Sequence, residues 1–351
     1  MQTKVSKADR HKAVETIERG RRSKWWRRNG GRSRGFNYID ADGKSVTNPD
    51  DLERIASLVI PPAWEHVRIC PSPKGRLQAV GVDTRGRIQY KYHPSFTKRQ
   101  QKLKFAKIES FGKFLPKFYE VTNRDLSTEG LSKEKVLAVI MRLINSLYFR
   151  VGTDRSARHY KTFGITTLNK KHLTIGKRGK LRFDFIGKSH VVHRLVLVDE
   201  ELSAVVKEIA TLGGGRKLFR YISEDGKARA VTPTQLNFYL KAATDPRFSA
   251  KDFRTWGGTL LAAVELAEIG TGDTEADSKK NLVRAIKKVA ERLGNTPAVC
   301  RASYIHPSVI DAYLKGKTIE HYRPKTARSI KRIHPGLDPE ESALIRLLEN
   351  P

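Results

Sequence analysis

The chain has 351 residues, enough for two domains that each bury a hydrophobic core, and its two cysteines provide no disulfide framework. A total of 68 Lys and Arg residues against 37 Asp and Glu gives a formal net charge of +31, which favours a polyanionic partner such as DNA or RNA over a merely basic surface. No apolar run is long enough to span a membrane and residues 1–20 lack a signal-peptide core, so we expect a soluble, cytoplasmic, nucleoid-associated monomer.

The first 34 residues form a basic N-terminal extension. They hold twelve Lys and Arg against three acidic residues, and such a polar stretch is expected to stay loose until it meets a polyanion. Trp25 and Trp26 could stack on bases or anchor the segment to the following domain.

Residues 35–93 are predicted to form a small antiparallel β-rich domain. Two runs around Thr84-Arg85-Gly86 indicate a hairpin. In its second strand Tyr90 and Tyr92 share one face, so they could contact nucleic acid or be half-buried packing. The candidate DNA contacts here are Arg68, Gln89, Tyr90, Lys91 and Tyr92.

Residues 94–98 are predicted to be a hinge, and residues 99–351 a mainly α-helical domain. Apolar residues at helical spacing mark helices over 98–118 and 133–149. Three alternating segments at 172–175, 180–186 and 191–198 predict a small antiparallel sheet, preceded by two further candidate DNA contacts, Lys170 and Lys171. The fold class is therefore α+β.

Arg150 follows the helix over 133–149, which we expect to end at Gly152. A guanidinium held at the end of a packed helix suits bidentate phosphate binding, although pairing with Asp154 is the common alternative. Lys188 lies in a tight turn between two strands and, unlike an arginine, can donate a proton.

Two more cations, Lys251 and Arg254, fall in the first turn of a helix that follows Ser249, a candidate N-cap. Free N–H groups at such a helix start attract anions, so this arrangement indicates a phosphate site. Tyr304 ends a short helix that begins at Thr296 and Pro297 and stops before Pro307.

These pieces, in this order and spacing, resemble the small type IB DNA topoisomerases, the poxvirus-like enzymes with bacterial members. The matching motifs are Tyr-Phe-Arg-Val-Gly, Phe-Asp-Phe-Ile-Gly-Lys, Lys-Asp-Phe-Arg-Thr-Trp and Gly-Asn-Thr-Pro…Ser-Tyr. The segments Ile-Pro-Pro-Ala-Trp and Gln-Tyr-Lys-Tyr-His-Pro match bacterial members as well. The resemblance covers roughly residues 20–350 and implies a two-domain clamp around duplex DNA.

The resemblance also implies roles for the site residues. Tyr304 would be the nucleophile, forming a 3′-phosphotyrosyl link. Arg150 and Arg254 would hold the non-bridging oxygens, and Lys188, assisted by Lys251, would protonate the departing 5′-oxygen. Many family members carry histidine nine residues before the tyrosine; here that position is Asn295, which can donate a hydrogen bond but carries no charge.

The expected activity is relaxation of supercoiled DNA without ATP, metal or another cofactor. A tyrosine recombinase shares the same catalytic set, but recombinases usually place histidine where this chain has Lys251. A non-catalytic basic DNA-binding protein is the alternative from another class, and it offers no reason for the four motifs.

Overall fold

The structure is a computed structural model that describes residues 7–323 and 337–350. The chain divides into two compact units, residues 1–104 and 105–351. Among the described residues, no helix is both long and apolar enough to cross a membrane. Cys70 and Cys300 are both buried and free.

The N-terminal unit is built on a five-stranded antiparallel sheet with strand order β2-β1-β3-β4-β5. Its strands are β1 Trp26–Gly31, β2 Gly35–Ile39, β3 Glu65–Ile69, β4 Leu77–Val82 and β5 Ile88–Tyr92. Its helices are α1 Lys7–Glu18 and α2 Pro49–Ser57. The predicted antiparallel β-rich fold and its hairpin are therefore confirmed, whereas the domain bounds 35–93 remain a prediction.

The two helices of this unit form separate apolar clusters with side chains of the same strand. Val80 and Val82 cluster with Ala13 and Ile17 of α1, whereas Ala79 belongs to the cluster that includes Ile55 of α2. Because neighbouring strand residues point to opposite faces, β4 is covered on both sides. This explains why the burial of β4 is nearly continuous rather than alternating.

The prediction of a loose N-terminal extension was wrong for residues 7–31. That part of the segment forms α1, a short 3-10 turn and β1, and residue 34 lies in the connection between β1 and β2. Charge dominated the sequence interpretation, because among residues 10–18 of α1 only Ala13 and Ile17 are buried, on a helix rich in charged side chains. Trp26 packs in the sheet domain, and the guanidinium carbon of Arg54 lies 5.3 Å from the centre of its ring.

The second unit is mainly helical. Helix α3, Pro94–Leu126, continues into it from the first unit, so the predicted hinge at 94–98 lies in the first turn of α3 and remains a prediction. The further helices are α4 Lys133–Leu147, α5 Asp154–Tyr160, α6 Glu200–Thr211, α7 Pro233–Ala243, α8 Ala250–Ile269, α9 Glu275–Leu293, α10 Pro297–Tyr304, α11 Pro307–Leu314 and α12 Pro339–Glu349.

The predicted three-stranded antiparallel sheet is confirmed, with order β6-β7-β8. Its strands are β6 Leu173–Ile175, β7 Lys180–Ile186 and β8 Val192–Val198, and an additional small hairpin joins β9 Arg220–Ile222 to β10 Ala228–Ala230. Most of the core lies among α4, α8 and their neighbours, where Phe253 and Trp256 of α8 are almost completely buried.

Helix α4 ends earlier than the sequence predicts. Its last residue is Leu147, and Tyr148 caps it in the left-handed conformation with φ 56°. The sequence indicated Gly152 as the end because glycine is the usual residue at such a cap. A tertiary contact accompanies the earlier end, since the Tyr148 carbonyl accepts a hydrogen bond from Arg254.

Candidate active site

Arg254 is buried in the first turn of α8, with only 4% of its surface exposed. Its guanidinium donates to the carbonyl of Tyr148 after α4 and, at 2.8 Å, to the carbonyl of Leu293 at the end of α9. The neighbouring Lys251 is exposed instead. The two cations predicted to lie together at the helix start are therefore in different environments.

The start of α8 is also occupied by an acidic side chain. Asp252 accepts hydrogen bonds from the backbone and hydroxyl of Ser249, which forms the predicted N-cap, and pairs with Lys107 at 2.7 Å. The helix start is thus satisfied within the protein, which leaves the buried Arg254 rather than the helix terminus as the candidate phosphate ligand.

Arg150 is half-buried and directs its Nη2 atom to the same segment of chain as Arg254. It donates to the Gly294 carbonyl at 3.1 Å and to Asn295 Oδ1 at 2.7 Å. The alternative pairing with Asp154 was wrong, because Asp154 pairs with Lys217 at 2.7 Å. Since Asn295 Oδ1 accepts from Arg150, its amide nitrogen is left as a donor.

That amide nitrogen, Asn295 Nδ2, is buried and has no hydrogen-bond partner among the described residues. An unpaired buried donor costs about 1–3 kcal/mol. A donor of this kind beside two guanidiniums suits an acceptor supplied by a ligand, such as a phosphate oxygen.

Tyr304 is the last residue of α10, as predicted, and is half-buried. Thr296 caps the start of this helix by accepting from the Val299 N–H. The guanidinium carbon of Arg254 lies 5.3 Å from the centre of the Tyr304 ring. The candidate nucleophile and one candidate phosphate ligand are therefore neighbours.

Helix α8 holds the backbone at Tyr304 and the two residues after it. The single hydroxyl proton of the buried Thr259 is shared between the Thr255 carbonyl at 2.8 Å and the Tyr304 carbonyl at 3.2 Å, and the hydroxyl oxygen accepts the His306 N–H at 3.1 Å. One residue earlier, Gly258 packs so closely that an added Cβ would lie 2.7 Å from the Tyr304 carbonyl oxygen. The position of Tyr304 is thus set by direct backbone packing on α8.

Lys188 lies in the turn between β7 and β8, as predicted. Ser189 and His190 adopt left-handed conformations with φ of 63° and 61°, which turns the chain tightly after Lys188. Lys188 is exposed and lines the same cleft as Arg150 and Arg254. The cleft thus combines two guanidiniums with a lysine that can release a proton.

The two guanidiniums of this cluster carry their charges in a buried setting. Burial, aided by the charge of Arg150, lowers the pKa of Arg254 to about 10, while Tyr304 acts in the opposite direction. Burial also lowers the pKa of Arg150. Both guanidiniums remain charged at neutral pH. The negative charge of a phosphate between them would therefore offset both the cost of burying the two cations and their mutual repulsion.

Comparison with known proteins gives the family. A family model described as "Eukaryotic DNA topoisomerase I, catalytic core" matches residues 93–331, and one described as "Bacterial DNA topoisomerase IB, N-terminal domain" matches residues 35–83. DNA topoisomerase 1B of Acanthamoeba polyphaga mimivirus is 33% identical over 285 residues, which cover 79% of this chain and 84% of that relative. This chain belongs to the type IB DNA topoisomerases.

More distant relatives agree. DNA topoisomerase 1 of Rabbit fibroma virus (strain Kasza) is 25% identical over 248 residues, covering 67% of this chain and 72% of the relative. DNA topoisomerase 1B of Vaccinia virus (strain Copenhagen) is 22% identical over 240 residues with the same coverage. The resemblance found in the motifs is confirmed, and the topoisomerase interpretation is favoured over a recombinase.

One residue in the topoisomerase cleft was missed by the sequence interpretation. His193 of β8 is 9% exposed and its ring stacks on Phe185, with centroids 5.0 Å apart and planes at 15°. Burial first, then the charges of Arg150 and Arg254, lower its pKa to about 4. The only sequence signal was its place among the inward-facing positions of β8, alternating with exposed ones.

The candidate DNA contacts outside the cleft divide into two groups. Tyr90 and Tyr92 are each 43% exposed and their ring centroids lie 6.1 Å apart, so both rings are accessible to a ligand while they also pack on each other. Lys171 is exposed and Lys91 is half-buried.

The others are already engaged within the protein. Gln89 donates to Asp83 at 3.0 Å, Arg68 donates to Glu18 at 3.0 Å, and Lys170 donates to the Leu212 carbonyl. Arg68 and Lys170 would have to give up these bonds to reach DNA, which weighs against them.

Proposed function

We propose that this topoisomerase relaxes supercoiled duplex DNA through attack of Tyr304 on one strand. Attack would form a 3′-phosphotyrosyl ester and expel the 5′-hydroxyl, and the nicked duplex would rotate before religation. One observation carries this proposal. Two guanidiniums from separate elements bind consecutive residues, Leu293 to Asn295, and one of them also lies against the Tyr304 ring.

Each member of the cluster has a chemical role in this scheme. Arg150 and Arg254 contact the non-bridging oxygens, and the unpaired Nδ2 of Asn295 adds a neutral donor. Each such donor is worth on the order of 3 kcal/mol in the transition state. Lys188 protonates the departing 5′-oxygen, and Lys251, exposed in the first turn of α8, assists that proton transfer.

The nucleophile needs help because a phenol is a weak acid. An unassisted phenol ionises with a pKa of about 10, so deprotonation at neutral pH costs about 4 kcal/mol. Asn295 stands where many relatives have histidine and cannot act as a base. In this proposal the two guanidiniums supply the assistance by stabilising the negative charge that develops as the phenol attacks.

The reaction is proposed to need neither ATP nor metal. A phosphotyrosyl ester conserves the energy of the broken phosphodiester, so religation by the 5′-hydroxyl is close to thermoneutral. Stored torsion in the DNA can then drive strand rotation. The net charge of +31 supplies the electrostatic affinity for the duplex, which should fall steeply with salt.

The test is to incubate the protein with supercoiled plasmid in EDTA without ATP. We expect relaxation in single-link steps and a covalent protein–DNA adduct. Tyr304→Phe should bind the plasmid with unchanged affinity and form no adduct. Strand exchange between two defined sites would indicate a recombinase, a mobility shift alone would indicate binding only, and adducts formed by Tyr304→Phe would refute the assignment of the nucleophile.

We also propose a bacterial, cytoplasmic, nucleoid-associated monomer that closes around DNA as a clamp. The match to the N-terminal domain of bacterial enzymes and the high positive charge support this. Sedimentation should give the monomer mass of 39.8 kDa, and a fluorescent fusion should coincide with DNA. A dimer in sedimentation would contradict the monomer.

A further inference from the structure

The imidazole of His193 lies between two glycines that belong to different parts of the active site. A Cβ added at Gly187 would lie 2.5 Å from its Cδ2 atom, and a Cβ added at Gly294 would lie 2.4 Å from its Cε1 atom. Both distances are far shorter than the 3.5–4.0 Å of an ordinary carbon contact. Neither position therefore has room for a side chain while the ring is present.

At position 187 the His193 ring, and not the backbone conformation, requires glycine. Gly187 has a φ of −94° and a ψ of −168°, extended values that any residue adopts, so its conformation does not need glycine. Gly294 differs, because its φ of +61° also favours glycine at the end of α9.

Each glycine directly precedes a candidate catalytic residue. Lys188 follows Gly187, whose N–H is fixed by the Val191 carbonyl at 2.8 Å. Asn295 follows Gly294, and its N–H is fixed by the Ala290 carbonyl at 2.9 Å. The single ring of His193 therefore sets the distance between the backbone at Lys188 and the backbone at Asn295, whose side chain accepts from Arg150.

The ring itself is held in place and uncharged. It stacks on Phe185, its direct cross-strand partner in the β7–β8 register. Its lowered pKa of about 4 means that it adds no third positive charge to the two guanidiniums at neutral pH. A flat, neutral spacer is what this position contributes.

We propose that His193 is a positioning residue that holds Lys188 at the correct distance from the contacting pair Arg150 and Asn295 during strand cleavage. The proposal rests on the assignment of Lys188 as the acid that protonates the leaving 5′-oxygen. If the ring is removed, the lysine turn can shift towards the space it leaves. Protonation of the leaving oxygen then suffers, whereas contacts to the non-bridging oxygens change less.

A change of leaving group tests this directly. In a duplex whose scissile 5′-bridging oxygen is replaced by sulfur, a thiolate departs and needs no proton. We expect His193→Ala to slow single-turnover cleavage of the oxygen substrate by about 100-fold and to cleave the sulfur substrate at close to the wild-type rate. Lys188→Ala should show the same pattern, and the double variant should be no slower than Lys188→Ala alone.

Other outcomes overturn the proposal. Equal slowing on both substrates would mean that His193 is merely structural, and wild-type rates on the oxygen substrate would mean that the spacing does not matter. If the double variant multiplies the two single effects, His193 does not act through Lys188. Failure of the proposed function itself would appear separately, as wild-type protein that forms no Tyr304 adduct on either substrate.

A second variant covers the case in which His193→Ala does not fold. Gly187→Ala displaces the same ring instead of removing it, because the added Cβ would lie 2.5 Å from His193 Cδ2. It should show the same rescue by sulfur. The matched control is Gly213→Ala, because no atom lies within 4 Å of an added Cβ there. Gly187→Ala with the rates of this control on both substrates would overturn the proposal.

Discussion

Gly258→Ala tests whether the close packing of α8 sets the position of the nucleophile. The added Cβ would lie 2.7 Å from the Tyr304 carbonyl oxygen, 3.1 Å from the Tyr304 Cβ and 3.0 Å from Leu293 Cδ1. Carbon atoms at ordinary contact are about 3.5–4.0 Å apart. The backbone of Tyr304 must therefore move away from α8 by roughly half an ångström to one ångström.

The expected effect on stability is small and the expected effect on rate is large. Forcing an extra methyl group into a packed core costs about 1–3 kcal/mol. Replacing glycine with alanine inside a helix stabilises the helix by about 1 kcal/mol. The free energy of unfolding should therefore fall by no more than about 2 kcal/mol. A misplacement of about 1 Å can slow a reaction by about 100-fold.

The assay is single-turnover formation of the covalent adduct at saturating protein, with DNA affinity measured in parallel. We expect cleavage to be slowed by about 100-fold with unchanged affinity, because Gly258 is buried and offers no group to DNA. Gly213→Ala again serves as the control. A wild-type cleavage rate in a folded Gly258→Ala protein would refute the argument that α8 positions Tyr304.

Three further predictions concern the surroundings of the same site. Arg254→Ala should abolish most cleavage activity and lower the free energy of unfolding by about 2–5 kcal/mol, because two backbone carbonyls lose their donor in a site that is only 4% exposed. Arg150→Ala should lose comparable cleavage activity with a smaller stability change, because its two acceptors, at Gly294 and Asn295, are only half-buried; equal thermal melts would contradict this. Thr259→Val removes the hydroxyl that accepts the His306 N–H and shares its proton between the Thr255 and Tyr304 carbonyls. The change should cost about 1–2 kcal/mol and slow adduct formation, as denaturant titration and cleavage rates can check. Because the pKa of His193 is about 4 in the folded protein against 6.5 ordinarily, the unfolded chain binds a proton between these values that the folded chain does not. Acidification from pH 7.5 to 5 should therefore remove about 2 kcal/mol of stability through His193. This loss should be absent from His193→Gln, so it should appear as the difference between the pH dependences of the two proteins.

Much of the fold was accessible from local patterns. Alternation located β6 to β8 within about one residue, and the Thr296-Pro297 and Ser249 signals marked real helix starts, because capping involves only residues a few positions apart. Local patterns failed where a distant partner intervened. Helix α4 ended at Leu147 rather than Gly152, and the basic N-terminal segment joined the sheet.

The sequence by itself determined the family, the catalytic residue types and their order along the chain, because each motif is a short run that folds locally. Only the tertiary structure decided how they meet. Arg150 and Gly294 are 144 residues apart, and no periodicity predicts that Arg150 and Arg254 bind adjacent backbone groups. The same holds for His193, whose significance comes entirely from two glycines that approach it from distant segments. Such contacts depend on how whole elements pack, which local side-chain patterns do not encode.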